Sequence, residues 1–179
     1  MGAAKFYTDH VHTRYKNVIS FVARGTKSGK TYLLERVIRE MKLRGRKITA
    51  VKHANHQHVA DQEGKDTFKY SQNGADRIIL FSPDGILMYE EGHPDIEHVF
   101  ASAAHGMDLI LVEGFKAGPF RKIEVFNEEL YATPLCLEQK DPQYIAIVSR
   151  KPLDTAIPQF RFEEIPAICD FIETCTGLG

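Results

Sequence analysis

The patterned part of the chain opens on Val18-Ile19-Ser20-Phe21-Val22-Ala23, a short apolar run that ends in a Gly-containing turn. Such a run predicts a strand buried on both faces. From Thr31 the period changes. Leu33, Leu34, Val37, Ile38 and Met41 recur at helical spacing, with Glu35, Arg36, Arg39, Glu40 and Lys42 opposite them, until Gly45 stops the helix. Residues 47–52 (KITAVK) read as a second strand, so strand, helix and strand fit in about 35 residues, the size of a right-handed βαβ unit.

Residues 53–65 (HANHQHVADQEGK) are polar and without period, a long loop before a short helical stretch at 66–72. The runs RIILF (77–81) and GILMYE (85–90) flank Ser82-Pro83-Asp84 and predict a β-hairpin that adds an antiparallel pair to the sheet. A helix is expected over 95–105 and the strongest buried strand over 108–112 (DLILV). Further strands fall at 121–126 and 144–148, and a closing helix at 163–174 carries Pro166 in its first turn. Strands alternating with helices under continuous apolar runs imply an α/β fold, a doubly wound and mostly parallel sheet with an antiparallel hairpin.

Composition narrows the classes. The 179 residues are 43% hydrophobic and 26% charged, which suits one globular domain at 17–179 behind a mobile tail at 1–16 that mixes charge, His and small residues. Charges nearly cancel, with 23 Lys and Arg against 24 Asp and Glu, so no global field recruits nucleic acid or an acidic membrane. The first residues lack the apolar run of a signal peptide, and no stretch approaches the roughly 20 apolar residues of a membrane span. Three cysteines (Cys136, Cys169 and Cys175) form no C-x-x-C pair and suit reduced thiols in a cytoplasm, with Cys169 and Cys175 expected as buried small residues on the last helix.

The chemistry concentrates in Gly25-Thr26-Lys27-Ser28-Gly29-Lys30-Thr31, placed between the first strand and the first helix, with Tyr32 next in line. Small residues let backbone N–H groups converge on a phosphate there, and the helix N-terminus adds roughly half a positive charge. Lys30 is placed to reach the β- and γ-phosphates and Thr31 to offer its hydroxyl to Mg²⁺, as in a P-loop NTPase. Position 24 departs from that pattern: Arg24 stands where a glycine is usual, either crowding the loop or adding a phosphate contact.

A metal-positioning acid is expected at the carboxyl end of a neighbouring strand. Asp108 and Glu113 bracket DLILV; five residues of strand span roughly 16 Å, so only one acid can lie near the phosphates. Glu113 is the candidate and Asp108 a strand-entry or capping residue. The polar loop holds His53, His56, His58, Asp61 and Glu63, which fit a phosphate or Mg²⁺ role, a zinc or nickel site, or plain solvation. Lys116, Arg121 and Lys122 are candidate contacts to an anionic cofactor or members of a charged rim. In place of an N-K-x-D base-reading element, the strand at 144–148 leads into Ser149-Arg150-Lys151-Pro152-Leu153-Asp154.

Val51-Lys52-His53 with Asp61, Gly64-Lys65-Asp66, Gly74-Ala75, Leu111-Val112-Glu113-Gly114-Phe115-Lys116 and Lys122-Ile123-Glu124-Val125 together resemble the MobB family of molybdopterin-guanine dinucleotide biosynthesis adapter proteins. The resemblance runs from about residue 18 to 126 and more loosely to the C-terminus. It implies a cytoplasmic, homodimeric, Mg²⁺-dependent GTP-binding protein with weak GTPase activity, working with the guanylyltransferase MobA on molybdopterin. Carried over, the phosphate loop falls on Gly25 to Thr31, the γ-phosphate loop on His53, Asp61, Lys65 and Asp66, and the second strand motif on Glu113 and Gly114. Thr31, Asp61 and Glu113 are then the Mg²⁺ ligands. The alternatives are a metal-delivery GTPase using His53, His56 and His58, a small-molecule kinase, and a non-catalytic binding module.

Overall fold

Strand β1 (Val18–Val22) is buried at every position and lies between two parallel neighbours, β5 (Leu109–Glu113) and β6 (Arg121–Val125). Both faces of this strand are covered, which is why it reads as a continuous apolar run. The structure, a computed structural model, describes residues 15–54, 66–92 and 95–179. Between β1 and the next strand runs helix α1 (Lys30–Leu43), followed by β2 (Ile48–Lys52), α2 (Asp66–Gln72), β3 (Arg77–Ser82), β4 (Gly85–Glu90) and α3 (Ile96–Ala104). After β6 come α4 (Leu135–Gln139), β7 (Tyr144–Val148), β8 (Gln159–Phe160) and α5 (Ile165–Thr176).

The six-stranded sheet has the order β2-β5-β1-β6-β7-β8 and every pairing is parallel. The expected hairpin forms, with Ser82 opposite Gly85, but among the described residues β3 and β4 pair only with each other and make a separate two-stranded sheet. This corrects the expectation that the hairpin extends the main sheet. A two-residue turn specifies the partner of each strand locally and carries no information about a third.

By contact the chain divides into two units, one of residues 1–53 and 103–179 and one of residues 54–102. In the first, α1 buries Leu33, Leu34, Val37 and Met41 in the same core as Ile168, Cys169 and Ile172 of α5. Arg44 and Arg46, just past the end of α1, both reach Glu173 on α5, at 2.8 and 2.6 Å. Burial pushes the Glu173 carboxyl up, but these two guanidinium partners outweigh it and hold the group below its usual range. Cys136 and Cys169 are buried, and desolvation pushes both thiols up to about 12. Cys175 is only partly buried, contrary to the reading of its helical pattern. The helix face that carries Cys169 meets the core, and position 175 lies about 240° further round at about 100° per residue.

In the second unit the hairpin is apolar on both sides. Ile79 and Phe81 oppose Met88 and Ile86 on one face and Leu80 opposes Leu87 on the other. All six are exposed, Phe81 at 77% and Ile86 at 70%. Among the described residues no helix is long and apolar enough to cross a membrane.

Candidate functional site

The segment between β1 and α1 leaves the carboxyl end of a central strand and turns at once into a helix. Two backbone conformations make the turn: Lys27 at φ 60° and Gly29 at φ 92° are both left-handed. Gly29 caps α1 with no side-chain hydrogen bond. A side chain there would be strained and would also press on Phe162, whose ring comes to 2.9 Å of where a Cβ would stand. A Cβ at Gly25 would collide with the Tyr131 hydroxyl. The N–H groups of Thr26, Lys27, Ser28 and Gly29 make no hydrogen bond to protein among the described residues. Free N–H groups at a helix N-terminus are an anion-binding arrangement.

Two side chains tighten the loop from within. Ser28 Oγ donates to the Gly25 carbonyl at 2.8 Å, and Lys30 Nζ donates to the same oxygen at 2.8 Å. Burial pulls the Lys30 ammonium below the usual lysine range; Glu113 pushes the other way, and Lys116 and Lys52 add to the lowering. A cation held beside other cations and partly desolvated is poised to gain from an anionic partner.

Parallel register places the acid. Phe21 of β1 and Lys52 of β2 both stand opposite Glu113 at the carboxyl end of β5. The Thr31 hydroxyl donates to Glu113 Oε1 at 3.0 Å, and Lys52 Nζ lies 3.8 Å from the same oxygen. A cleft of about 460 Å³ is lined by Thr26 to Tyr32 and by Glu113. Asp108, at the other end of β5, accepts from the Lys47 N–H at 2.7 Å, the capping role expected of it.

His53 enters the site from the end of β2. Its N–H donates to the Glu113 carbonyl at 3.0 Å, and its ring stacks on Phe115 with centroids 4.4 Å apart and planes 2° from parallel. Gly114 between them sits at φ 91°, with the His53 carbonyl 3.3 Å from where a Cβ would be. Ser20 Oγ donates to the Gly114 carbonyl at 2.5 Å, tying this turn back to β1. Thus Gly25 to Tyr32, His53, Glu113 and Gly114 belong to one unit and gather at the carboxyl ends of β1, β2 and β5. Asp66 opens α2 in the other unit and pairs with Lys69 at 3.0 Å. Asp61 and Lys65, together with His56, His58 and Glu63, lie outside the described residues, as does nearly all of the 1–16 tail.

The Arg24 side chain is committed to protein partners in and just before α4. Its guanidinium donates to the Thr133 carbonyl at 3.1 Å and pairs with Glu138 at 2.5 Å, and that hydrogen bond with Glu138 raises its pKa above the usual value. Lys116 Nζ bonds the Arg24 carbonyl at 3.2 Å. Two candidate cofactor contacts are corrected. Lys122 is 2% exposed and bound by Asp141 and Gln143, while Arg121 donates to the carbonyls of Lys16 and Cys175. Strand alternation turns one of these neighbours into the protein and commits the other to the last turn of α5.

Sequence reasoning missed three walls of the site: Tyr131 over Gly25, Phe162 over Gly29, and Asn127 just after β6. Only the parallel order β1-β6-β7-β8 brings their segments beside the loop. Among the described residues no three His, Cys, Asp or Glu side chains group to hold a metal.

Comparisons with known proteins identify a family and a shared fold. Residues 18–150 match the family described as molybdopterin guanine dinucleotide synthesis protein B, MobB. The chain is 32% identical over 149 residues to the molybdopterin-guanine dinucleotide biosynthesis adapter protein of Haemophilus influenzae, covering 82% of each chain. It is 31% identical over 151 residues to that of Escherichia coli, covering 81% of this chain and 85% of that one. The crystal structure of Bacillus subtilis MobB superposes with a TM-score of 0.70 at 25% identity, over 88% of this chain and 96% of that one.

Proposed function

The chain belongs to the MobB family, and from that premise we propose that it is a GTP-binding adapter in molybdopterin guanine dinucleotide formation, assisting a MobA-like guanylyltransferase that acts on molybdopterin. The observation that carries the nucleotide part is the meeting of Thr31 and Glu113 at 3.0 Å beside Lys30, at the mouth of a loop with free N–H groups.

The donor set fits a hard divalent cation bound together with phosphates, because a hydroxyl and a carboxylate leave most of the coordination to phosphate oxygens and water. Thr31 and Glu113 would hold Mg²⁺, with Asp61 as a further ligand; the metal supplies neutralisation of phosphate charge. The loop N–H groups and Lys30 bind and orient the phosphates. His53 and Gly114, fixed to the Glu113 backbone, form the wall facing the γ-phosphate. No glutamine or unpaired arginine stands at this mouth among the described residues, so turnover is slow and the bound nucleotide acts mainly as a signal for partner affinity.

Calorimetric titration with a hydrolysis-resistant GTP analogue tests this. Binding of the wild-type protein should strengthen with Mg²⁺, and Glu113→Ala should remove about tenfold of affinity in Mg²⁺ while leaving the metal-free value unchanged, as for one charge-assisted contact. Affinity indifferent to Mg²⁺ in both proteins would overturn the assignment. No observation favours metal delivery: the His53 ring is stacked on Phe115, and His56 and His58 lie outside the described residues.

Homodimer formation is part of the proposal, supported by the hairpin. A two-stranded ribbon is marginal alone in water, and this one shows Ile79, Phe81 and Ile86 at 59%, 77% and 70% exposure with no third strand paired to it among the described residues. A second copy of the same ribbon is a self-complementary cover. The double variant Phe81→Asp, Leu87→Asp should sediment as a monomer where the wild type sediments as a dimer; equal mass for both would remove the hairpin from the interface.

A further inference from the structure

Beside the phosphate cleft lies a second one, of about 330 Å³, that shares Lys27, Ser28, Gly29 and Tyr32 with it and adds Asn127, Arg150, Phe162 and Glu163. The two clefts adjoin along these four residues, so a ligand with phosphates on the loop has this second cleft within its reach. The volume is at the lower end of ligand pockets, roughly 300–1,000 Å³, and suits a planar base with its sugar. Its added residues come from the segments after β6, β7 and β8, the carboxyl edge where open parallel sheets bind ligands.

The polar groups of this cleft have a definite sense. Asn127 is 9% exposed and its Oδ1 accepts the Glu129 N–H at 3.0 Å, which turns the amide so that Nδ2 is left as a donor. Glu163 has no hydrogen bond or ion pair among the described residues, so its carboxylate is an uncommitted double acceptor. Arg150, which with the loop residue Lys27 makes up the cations lining this cleft among the described residues, is already paired with Glu129 at 2.8 Å. Phe162 is fixed against Gly29 and packs on the main core, giving one rigid apolar wall. Asp154, the acid of the segment that stands where a base-reading element was sought, is not among the lining residues.

We propose that this cleft reads the nucleotide base and selects guanine, with Glu163 accepting from the base's N1–H and 2-amino group and Asn127 Nδ2 donating to its O6 or N7. The inference rests on the nucleotide-binding reading above and deepens it. Guanine offers two adjacent donors on one edge and two acceptors, O6 and N7, on the other; adenine sets an N1 lone pair against the carboxylate and a 6-amino donor against the Asn127 donor. Mismatches of this kind leave desolvated polar groups unpaired and are costly.

The test uses the full chain and calorimetry with hydrolysis-resistant GTP, ITP and ATP analogues and with inorganic tripolyphosphate. For the wild type, affinity should fall from guanosine to inosine, which lacks the 2-amino group, and again to adenosine. Glu163→Gln, at an exposed position, should lose about 10- to 100-fold for the guanosine analogue, bring guanosine and inosine together, and leave tripolyphosphate unchanged. Equal affinity of the wild type for guanosine and adenosine analogues, with tripolyphosphate still bound, would overturn the base assignment and spare the phosphate loop. Unaltered guanosine selectivity in Glu163→Gln would overturn it as well. Binding of none of the four ligands by the wild type would overturn both readings.

Discussion

Lys30→Ala is expected to weaken nucleoside triphosphate binding by at least about 100-fold, with the thermal unfolding midpoint nearly unchanged. The asymmetry follows from what Lys30 does in the protein by itself. Among the described residues its ammonium makes one hydrogen bond, to the Gly25 carbonyl, and burial, with Lys116 and Lys52 nearby, makes the charged form costly enough to lower its pKa. In the protein by itself, removing such a cation relieves a desolvation cost that offsets the lost hydrogen bond. With phosphates present the same charge has an anionic partner in a partly desolvated place, where charge-assisted bonds are roughly twice as strong as neutral ones. Titration of the variant beside a circular-dichroism melt decides the matter. Affinity within a few-fold of wild type would remove Lys30, and with it the phosphate role of the loop.

The second large effect lies outside the site. Glu124→Ala should destabilise the protein by about 3–5 kcal/mol, a fall in melting temperature on the order of 10 °C for a chain of this size. Glu124 is wholly buried in β6, and its two carboxylate oxygens accept the N–H groups of Leu135 and Cys136 at 2.7 and 2.8 Å, fastening the first turn of α4 to the sheet. Alanine leaves two buried donors without partners and a void beside them. The same variant should expose Cys136 to thiol reagents at neutral pH. In the intact protein burial, with Glu124 adding its charge and a hydrogen bond, pushes that thiol up to about 12. A melting temperature within 2–3 °C of wild type would show that α4 is held by other means. Nucleotide affinity should change less than stability, since Glu124 acts only through the segment carrying Asn127, Tyr131 and Thr133.

These two residues mark what kind of information each level carries. The position of Lys30 was legible because it depends on near neighbours: a buried strand, small residues and a helix start within one short stretch of chain. Glu124 was visible only as part of a family motif. Its role is to cap a helix eleven residues away, and α4 itself, five residues long, has too little periodicity to announce itself. Arg24 shows the same limit, since two roles remained open until the fold brought Thr133 and Glu138 to its guanidinium.

The sequence by itself determined every strand except β8, the helices longer than two turns, the glycine-rich loop between β1 and α1, and the placement of Glu113 rather than Asp108 beside it, because apolar period, strand rise and loop chemistry act over about ten residues or fewer. The hairpin's strands were equally plain, although Ser82, read as part of the turn, ends β3 opposite Gly85. Only the tertiary structure decided that the hairpin stands as its own sheet, that Lys122 is buried against Asp141 rather than facing an anion, and that Asn127, Phe162 and Glu163 line one cleft beside the loop. Those outcomes depend on which strands become neighbours. Parallel pairing joins segments separated by whole helices, so the contacts that complete the site come from sequence distances over which no local pattern persists.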